Sequence, residues 1–275
     1  MALFTPTAFW GGSSSTPFDP TNIPNLAGWY DASDTTSYVK SGTTITGINS
    51  QGTYGDSLGV IGSSNPVAGT QQNSLDTLYF NGSTAFENSN TDPLVSSNGL
   101  HFAVGVFYPQ NVSATNDSVW SVDSTYDYAV SAQDASRWFG ELDLGNGVGS
   151  SGTIGPFSNS NREDQWIIVS VGFTKVQSSN FILVLLNASA GVQWSATYLT
   201  NLSRTQKLRI MANRNGNKKQ SGRFGELILY DGDWGTGSGI PAAYTYRYQA
   251  EGYLAWKWGL QGNLPATHPY KNSAP

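Results

Sequence analysis

In the segment "GELDLGNG", Glu141 and Asp143 stand two residues apart, a spacing that places both carboxylates on one face of a strand. A retaining glycosidase needs two carboxyl groups about 5–5.5 Å apart, one as nucleophile and one as acid/base. The positions that would supply a second Glu from the same strand are Gly145 and Asn146. Without that partner, Glu141 and Asp143 read as exposed residues of a strand end, and the chain reads as non-enzymatic. Ser/His/Asp catalysis requires a histidine base, and only His101 and His268 exist. His101 opens a strand, while His268 lies between Thr267 and Pro269, where a hydrogen-bonded structural role is expected. The absence of cysteine removes thiol nucleophiles, disulfides and thiolate metal sites. Gly147, Gly149 and Gly152 form a Gly-x-Gly-x-x-Gly pattern, but no helix follows it to cradle a phosphate, so a loop is expected.

Binding chemistry has more candidates. Calcium takes six to eight oxygen ligands, and the weak candidates are Asp231 and Asp233 in "YDGDWG", with Asp31 and Asp34 in "YDASD" as another cluster. Short Asp-Gly turns form without metal, so no cofactor is expected. Sugar binding uses exposed aromatic faces with a few polar partners. Trp138 beside Arg137, and Trp234 in a Gly-rich loop, are the candidates, though both also fit core or capping roles. Trp29, Trp120, Trp166 and Trp194 fall within strand patterns and are expected to pack.

These residues must be held by a β framework. Between about residues 25 and 240, short β-branched or aromatic runs such as "LHFAVGVFY", "DQWIIVSVGF", "NFILVLLN" and "FGELILYD" recur between turn clusters without helical periodicity. That pattern predicts an all-β, two-sheet antiparallel jelly-roll sandwich. In "LHFAVGVFY", Phe102, Val104 and Val106 alternate with His101, Ala103 and Gly105, predicting one core face and one outward face. "WIIVSVGF" and "FILVLLN" are apolar on both faces, as expected for strands covered on both sides. Residues 241–259 form the one convincing helix, with Pro241 in its first turn, Arg247 and Glu251 at i and i+4, and Gly259 with Leu260 ending it in the Schellman manner. Leu254 and Trp258 are expected against the sandwich and Lys257 in water, with the tail extended across the helix. Residues 1–24 read as an extended N-terminal arm, 25–240 as the sandwich, and 241–275 as a helix and tail packed on it.

Only 12% of the residues are charged, against roughly 25% in globular domains, while 9 Trp, 14 Tyr and 12 Phe mark a folded chain. A net charge of -5 argues against nucleic-acid and anionic-membrane partners. The one basic cluster, Arg214, Lys218, Lys219 and Arg223, reads as a solvated hairpin loop. The start lacks the basic and apolar regions of a signal peptide, which predicts no secretion by that route.

Four segments carry a resemblance: "NLAGWYDASDTTSY", "LYFNGSTAFEN", "GELILYD" and "EGYLAWKWGL…LPATHPYK". Together they resemble LamG-like jelly rolls of the concanavalin A-like lectin and glucanase superfamily, of the kind found in phage virion and bacterial surface proteins. Glycosidases of that superfamily carry an E-x-D-x-E or E-x-D-x-x-E strand, which this chain lacks. The resemblance implies a virion structural protein made in a bacterial host, most simply a capsid decoration protein that forms homo-oligomers on the major capsid protein or on a vertex or tail protein. The alternative is a tail adhesin that binds a host-surface glycan.

In the arm, Phe4, Phe9 and Trp10 sit on a stretch too short and too rich in Pro, Gly and Ser to form a core. Each would gain about 1.5–3 kcal/mol by leaving water, either on its own sandwich or in a groove of a particle subunit as a partner-binding anchor. If they anchor, a chain lacking residues 1–16 melts cooperatively at nearly the same temperature but no longer joins the particle. Unfolding of the truncated chain, or its assembly at full occupancy, would rule the anchor out.

Overall fold

The computed structural model describes residues 18–53, 57–88, 101–111, 117–123, 127–134, 137–143, 163–176, 179–188, 193–196, 207–213, 216–231 and 240–275. Alternating apolar residues fold these segments into two antiparallel sheets. The first runs β14 (Gln193–Ala196), β13 (Ser179–Leu186), β12 (Ile167–Val176), β8 (His101–Gln110), β16 (Ser221–Asp231), β6 (Leu78–Asn81) and β5 (Val67–Ala68). Its eighth strand, β1 (Leu26–Asp31), pairs with β16 beyond a bulge between Phe224 and Glu226, so β1 and β6 share one side of the same long strand. The second sheet runs β11 (Arg137–Asp143), β10 (Asp127–Asp134), β9 (Asp117–Asp123), β15 (Lys207–Ile210), β7 (Thr84–Asn88), β4 (Leu58–Gly62), β3 (Thr44–Ile48) and β2 (Tyr38–Ser41). This is the jelly-roll sandwich expected from the alternation.

Two cores result. Between the sheets lie Phe80, Phe86, Phe107, Trp120, Ile167 and Phe224, all fully buried. On the other side of the first sheet, the helix α1 (Ile240–Lys257) lays Ala250, Tyr253 and Leu254, with Trp258 just beyond its end, on Val104, Val106, Ile168 and Ile228. The expected outward face of β8 is therefore absent, because α1 covers Phe102, Val104 and Val106 while Ala103 and Phe107 face the second sheet. β12 divides in the same way, Ile167 and Val169 to one core and Ile168 to the other. Phe18 and Ile23 join the helix-side core, Phe18 with its ring centroid 5.6 Å from that of Tyr253, and the Tyr230 hydroxyl donates to the Pro20 carbonyl at 3.2 Å.

The helix ends as its sequence predicts. Gly259 takes φ +69°, its N–H donates to the Trp256 carbonyl at 3.3 Å, and the Leu260 N–H donates to the Ala255 carbonyl at 2.6 Å, the paired bonds of a Schellman motif. The tail is not extended but folds into a 3-10 turn at Gln261–Asn263 and further turns against the helix. It crosses at Gly252, where a side-chain carbon would come within 2.7 Å of Tyr270.

Trp258 is wholly buried, and its ring lies so close to β16 that a Cβ on Gly225 would come 3.2 Å from it. Trp258→Ala should cost about 3–5 kcal/mol, the range for truncating a buried large aromatic. Urea denaturation of the two proteins would show it, and a loss under 1 kcal/mol would mean that the helix end does not depend on this side chain.

Candidate functional site

Two constellations of polar and aromatic groups stand out, and the first is buried. Glu226 follows the β16 bulge on the helix side and is fully buried. Its Oε1 accepts from Trp29 Nε1 at 2.7 Å, and its Oε2 accepts from Trp258 Nε1 at 2.9 Å and lies 2.7 Å from Lys257 Nζ. Lys257 also reaches Asp31 Oδ2 at 2.6 Å and the Tyr253 hydroxyl at 3.3 Å. The expectation that Lys257 faces water is thus wrong: its stem runs along the helix end and its ammonium joins two carboxylates. Burial raises the Glu226 pKa, with the Lys257 ammonium opposing. For Lys257 burial alone would lower the pKa, but Glu226, Tyr253 and Asp31 together hold it well above its ordinary value. Tyr253 is raised by burial and then by the Glu226 charge. Shifted groups in contact can mark catalysis, but both oxygens of this carboxylate are already engaged and buried, so the cluster is a structural anchor.

The second constellation lies on the same outer face of the first sheet, past the end of α1. Register aligns Val67 with Tyr79, Tyr79 with Arg223, and Arg223 with Tyr108. Trp166 extends the row, since it precedes Ile167, the partner of Phe107. Phe80, Phe107, Phe224 and Ile167 point into the inter-sheet core, and strand alternation therefore turns their neighbours Tyr79, Tyr108, Arg223 and Trp166 outward. All four are half-buried, and Val67 is 62% exposed. The Arg223 guanidinium carbon sits 5.2 Å from the Tyr108 ring centre, Tyr108 tilts on Trp166 at 5.4 Å, and Trp166 stacks on Trp258 at 6.1 Å. A polar row runs alongside: Asn81 aligns with Ser221 and Ser221 with Gln110, and the Gln110 amide donates to Asp164 Oδ1 at 3.0 Å. Asn81 and Asp164 are exposed. Asp164 has φ +55° and its N–H donates to the Pro109 carbonyl at 2.9 Å, which fixes the carboxylate beside the aromatic row. Rings flanked by amide, hydroxyl and carboxylate groups can stack on an apolar sugar face while hydrogen-bonding its hydroxyls.

The residues singled out from sequence lie elsewhere. Phe4, Phe9, Trp10, Trp234 and Asp233 are outside the described residues. Arg137 and Trp138 are in β11, with backbone described; Trp138 pairs with Ala132, two residues along from the Val130–Gly140 pair. Asp231 ends β16 opposite His101. Asp31, considered for calcium, instead holds Lys257 and accepts from the Ser33 hydroxyl at 2.7 Å. Asp34 accepts from the Thr36 hydroxyl at 2.6 Å. Among the described residues no group of three His, Asp or Glu could hold a metal ion. His268 is buried, receives the Tyr270 N–H on Nδ1 at 3.2 Å and lies 3.3 Å from Glu251 Oε2 through Nε2. In β11, Glu141 pairs with Ala129 and Asp143 with Asp127, so the acid opposite Asp143 comes from the neighbouring strand. Trp166, assigned to packing, and Arg223, assigned to a solvated loop, are the functional candidates that sequence reasoning missed. The signal available was their alternation with Ile167 and Phe224.

No protein-family model matches the chain, and no curated protein matches it in sequence. Solved structures do match its fold. Domain 4 of AbnA, an extracellular arabinanase from Geobacillus stearothermophilus, solved in complex with arabinotriose, superposes with TM-score 0.53 at 14% identity, covering 76% of this chain and 93% of that one. The binding domain of Paraclostridial Mosquitocidal Protein 1 gives TM-score 0.53 at 9% identity, and that of botulinum neurotoxin serotype G gives 0.50 at 9%. Each covers 83% of this chain, which spans about half of either toxin domain, 53% and 52%. At these identities the likeness establishes the jelly-roll sandwich.

The buried cluster sets the response to pH. Lys257, Tyr253 and Tyr230 are all raised, the last chiefly by burial, so each keeps its proton in the folded chain after the unfolded chain has lost it. Their contribution is full below about pH 10 and is lost above it, by about 1.4 kcal/mol per pH unit for each group. Melting temperature should hold steady from pH 7 to about 9.5 and then fall steeply. Lys257→Met, which leaves two buried carboxylates without their cation, should cost about 3–5 kcal/mol in urea at neutral pH. A flat alkaline profile together with a neutral Lys257→Met would show that the cluster holds nothing.

Proposed function

We propose that the chain is a non-catalytic carbohydrate-binding module of jelly-roll fold, which takes its glycan on the open part of the first sheet's outer face. The row Tyr79, Arg223, Tyr108 and Trp166, with Asn81, Gln110 and Asp164 beside it, is the observation that carries this reading. It offers ring faces and edges for a sugar's apolar side and fixed polar groups for its hydroxyls, on strands except for Asp164 and Trp166, which lie in the turn leading into β12. The complex of the arabinanase domain with arabinotriose supports the reading by analogy of fold. We further place the module on a phage particle, as a decoration protein or tail adhesin. The support is the resemblance of the C-terminal segment and the aromatic arm with its Gly-Gly-Ser-Ser-Ser linker.

Affinity electrophoresis against a panel of arabinan, xylan, galactan and bacterial surface polysaccharides tests the site. At least one glycan should bind, and Trp166→Ala and Tyr79→Ala should each weaken it about tenfold or more, a change of about 1.4 kcal/mol. Tyr79 lies at the opposite end of the row from Trp258, so its variant should keep the wild-type melting temperature and separates lost binding from lost folding. Undiminished binding by both variants, or no glycan bound by the wild type, would overturn the reading. No reducing ends should appear from the bound polymer; their release would instead assign chemistry to the Asp127–Asp143 pair.

A further inference from the structure

We propose that the glycan carries a carboxylate, as a uronic acid does, and that Arg223 is the residue that selects it. The inference rests on the glycan-binding reading above and names the class of sugar within it.

Arg223 differs from most of the other described cations. Lys207 and Arg209 share Glu87 at 2.6 and 2.7 Å, Arg247 lies 3.5 Å from Glu251, and Lys257 holds Asp31 and Glu226. Lys219 and Lys271 donate to backbone carbonyls. The Arg223 guanidinium, by contrast, is half-buried and has no acceptor among the described residues; its Nε is closed off from solvent, so the terminal nitrogens are the ones a ligand would meet. Removing an Arg nitrogen from water without giving it an acceptor is unfavourable, and strand β16 holds it there with a tyrosine-bearing strand on each side. Adjacent strands lie about 4.8 Å apart, so Tyr79 and Tyr108 flank the charge one strand spacing away on either side. The Tyr108 ring lies 5.2 Å from the guanidinium carbon as a cation–π partner, and the planar guanidinium fork matches a carboxylate through two parallel hydrogen bonds. The acid built into the same face, Asp164, lies across β8 and accepts the Gln110 amide on Oδ1. A ligand carboxylate would therefore supply the acceptor that the protein itself withholds, in a chain whose net charge of -5 otherwise repels anions.

Polygalacturonate and its fully methyl-esterified form have the same backbone and differ in charge, which makes them the natural probes. The 275-residue chain should bind the acid form at least tenfold tighter, with the preference shrinking as salt is raised. Arg223→Met should lower affinity for the acid form and collapse the ratio towards one, while Arg223→Lys should leave a smaller preference because the fork is lost. Trp166→Ala should weaken both forms in proportion and keep the ratio. Dextran sulfate should bind less tightly than polygalacturonate; equal or tighter binding would replace the carboxylate by anions in general. Equal wild-type affinity for the two polygalacturonates, or an undiminished ratio in Arg223→Met, overturns this inference and leaves glycan binding intact. If only neutral glycans bind, the result is the same, whereas binding of no polysaccharide would end both readings.

Discussion

A carboxylate buried in the middle of a sheet is tolerated only when donors reach its oxygens, because desolvating the charge costs several kcal/mol. Glu226 recruits its donors from two distant stretches: Trp29 on β1, and Lys257 at the last turn of α1 with Trp258 just beyond it. Satisfying that one group therefore fixes the strand that follows the bulge, the seat of the helix and the point where the helix must stop. The bulge takes part in this arrangement. Gly225 leaves room for the Trp258 ring, and its carbonyl accepts the Ala32 N–H at 2.9 Å, so β1 is held on the side of β16 where its Trp29 can reach the acid.

The same geometry divides the outer face of the first sheet. On one side of the bulge, Ile228 and Tyr230 lie under α1; on the other, Arg223 is left open, because the helix ends at Gly259. Trp258 belongs to both regions. Its indole N–H holds Glu226, and its ring stacks on Trp166, which meets Tyr108, which lies under Arg223. The aromatic row is thereby continuous with the most buried part of the molecule, and a ligand would meet rings whose orientation is already set rather than side chains that must be ordered on binding.

Much of this architecture is legible in the sequence, since it follows from short-range rules. Alternation gives the strands, two-sided apolar runs give β12, and Gly259 followed by Leu260 gives the helix terminus. What could not be read depends on contacts far apart in the chain. Lys257 occupies a helix position that periodicity assigns to solvent, and its partners Asp31 and Glu226 lie 226 and 31 positions away. Arg223 sits among basic and glycine residues that resemble a turn, and only its pairing with Tyr108 and Tyr79 shows it to be a strand residue between two rings. Asp143 lacks a partner acid in its own motif, yet register sets Asp127 opposite it. A linear motif search reads along one strand, while chemistry on a sheet is assembled across strands.

The aromatic, proline-studded C-terminus follows from the same logic. The helix carries a second wholly buried acid, Glu251, beside Arg247, and the tail returns His268 to it. Because the Tyr270 N–H donates to His268 Nδ1, the ring proton resides on Nε2 and is directed at the carboxylate. Trp256 Nε1 donates to the Tyr270 carbonyl at 2.9 Å, and Lys271 Nζ donates to the carbonyls of Gln261, Gly262 and Leu264. Those carbonyls belong to the turn that follows the helix, where few backbone partners reach them. The Asn263 amide of that turn reaches the Trp166 carbonyl at 3.2 Å, so the tail closes on the aromatic row itself. Pro265 and Pro269 keep the segment from extending the helix, and this leaves His268 and Tyr270 free to fold back. The C-terminal segment thus acts as the outer wall of the second core and the border of the open face: it stops where the row begins.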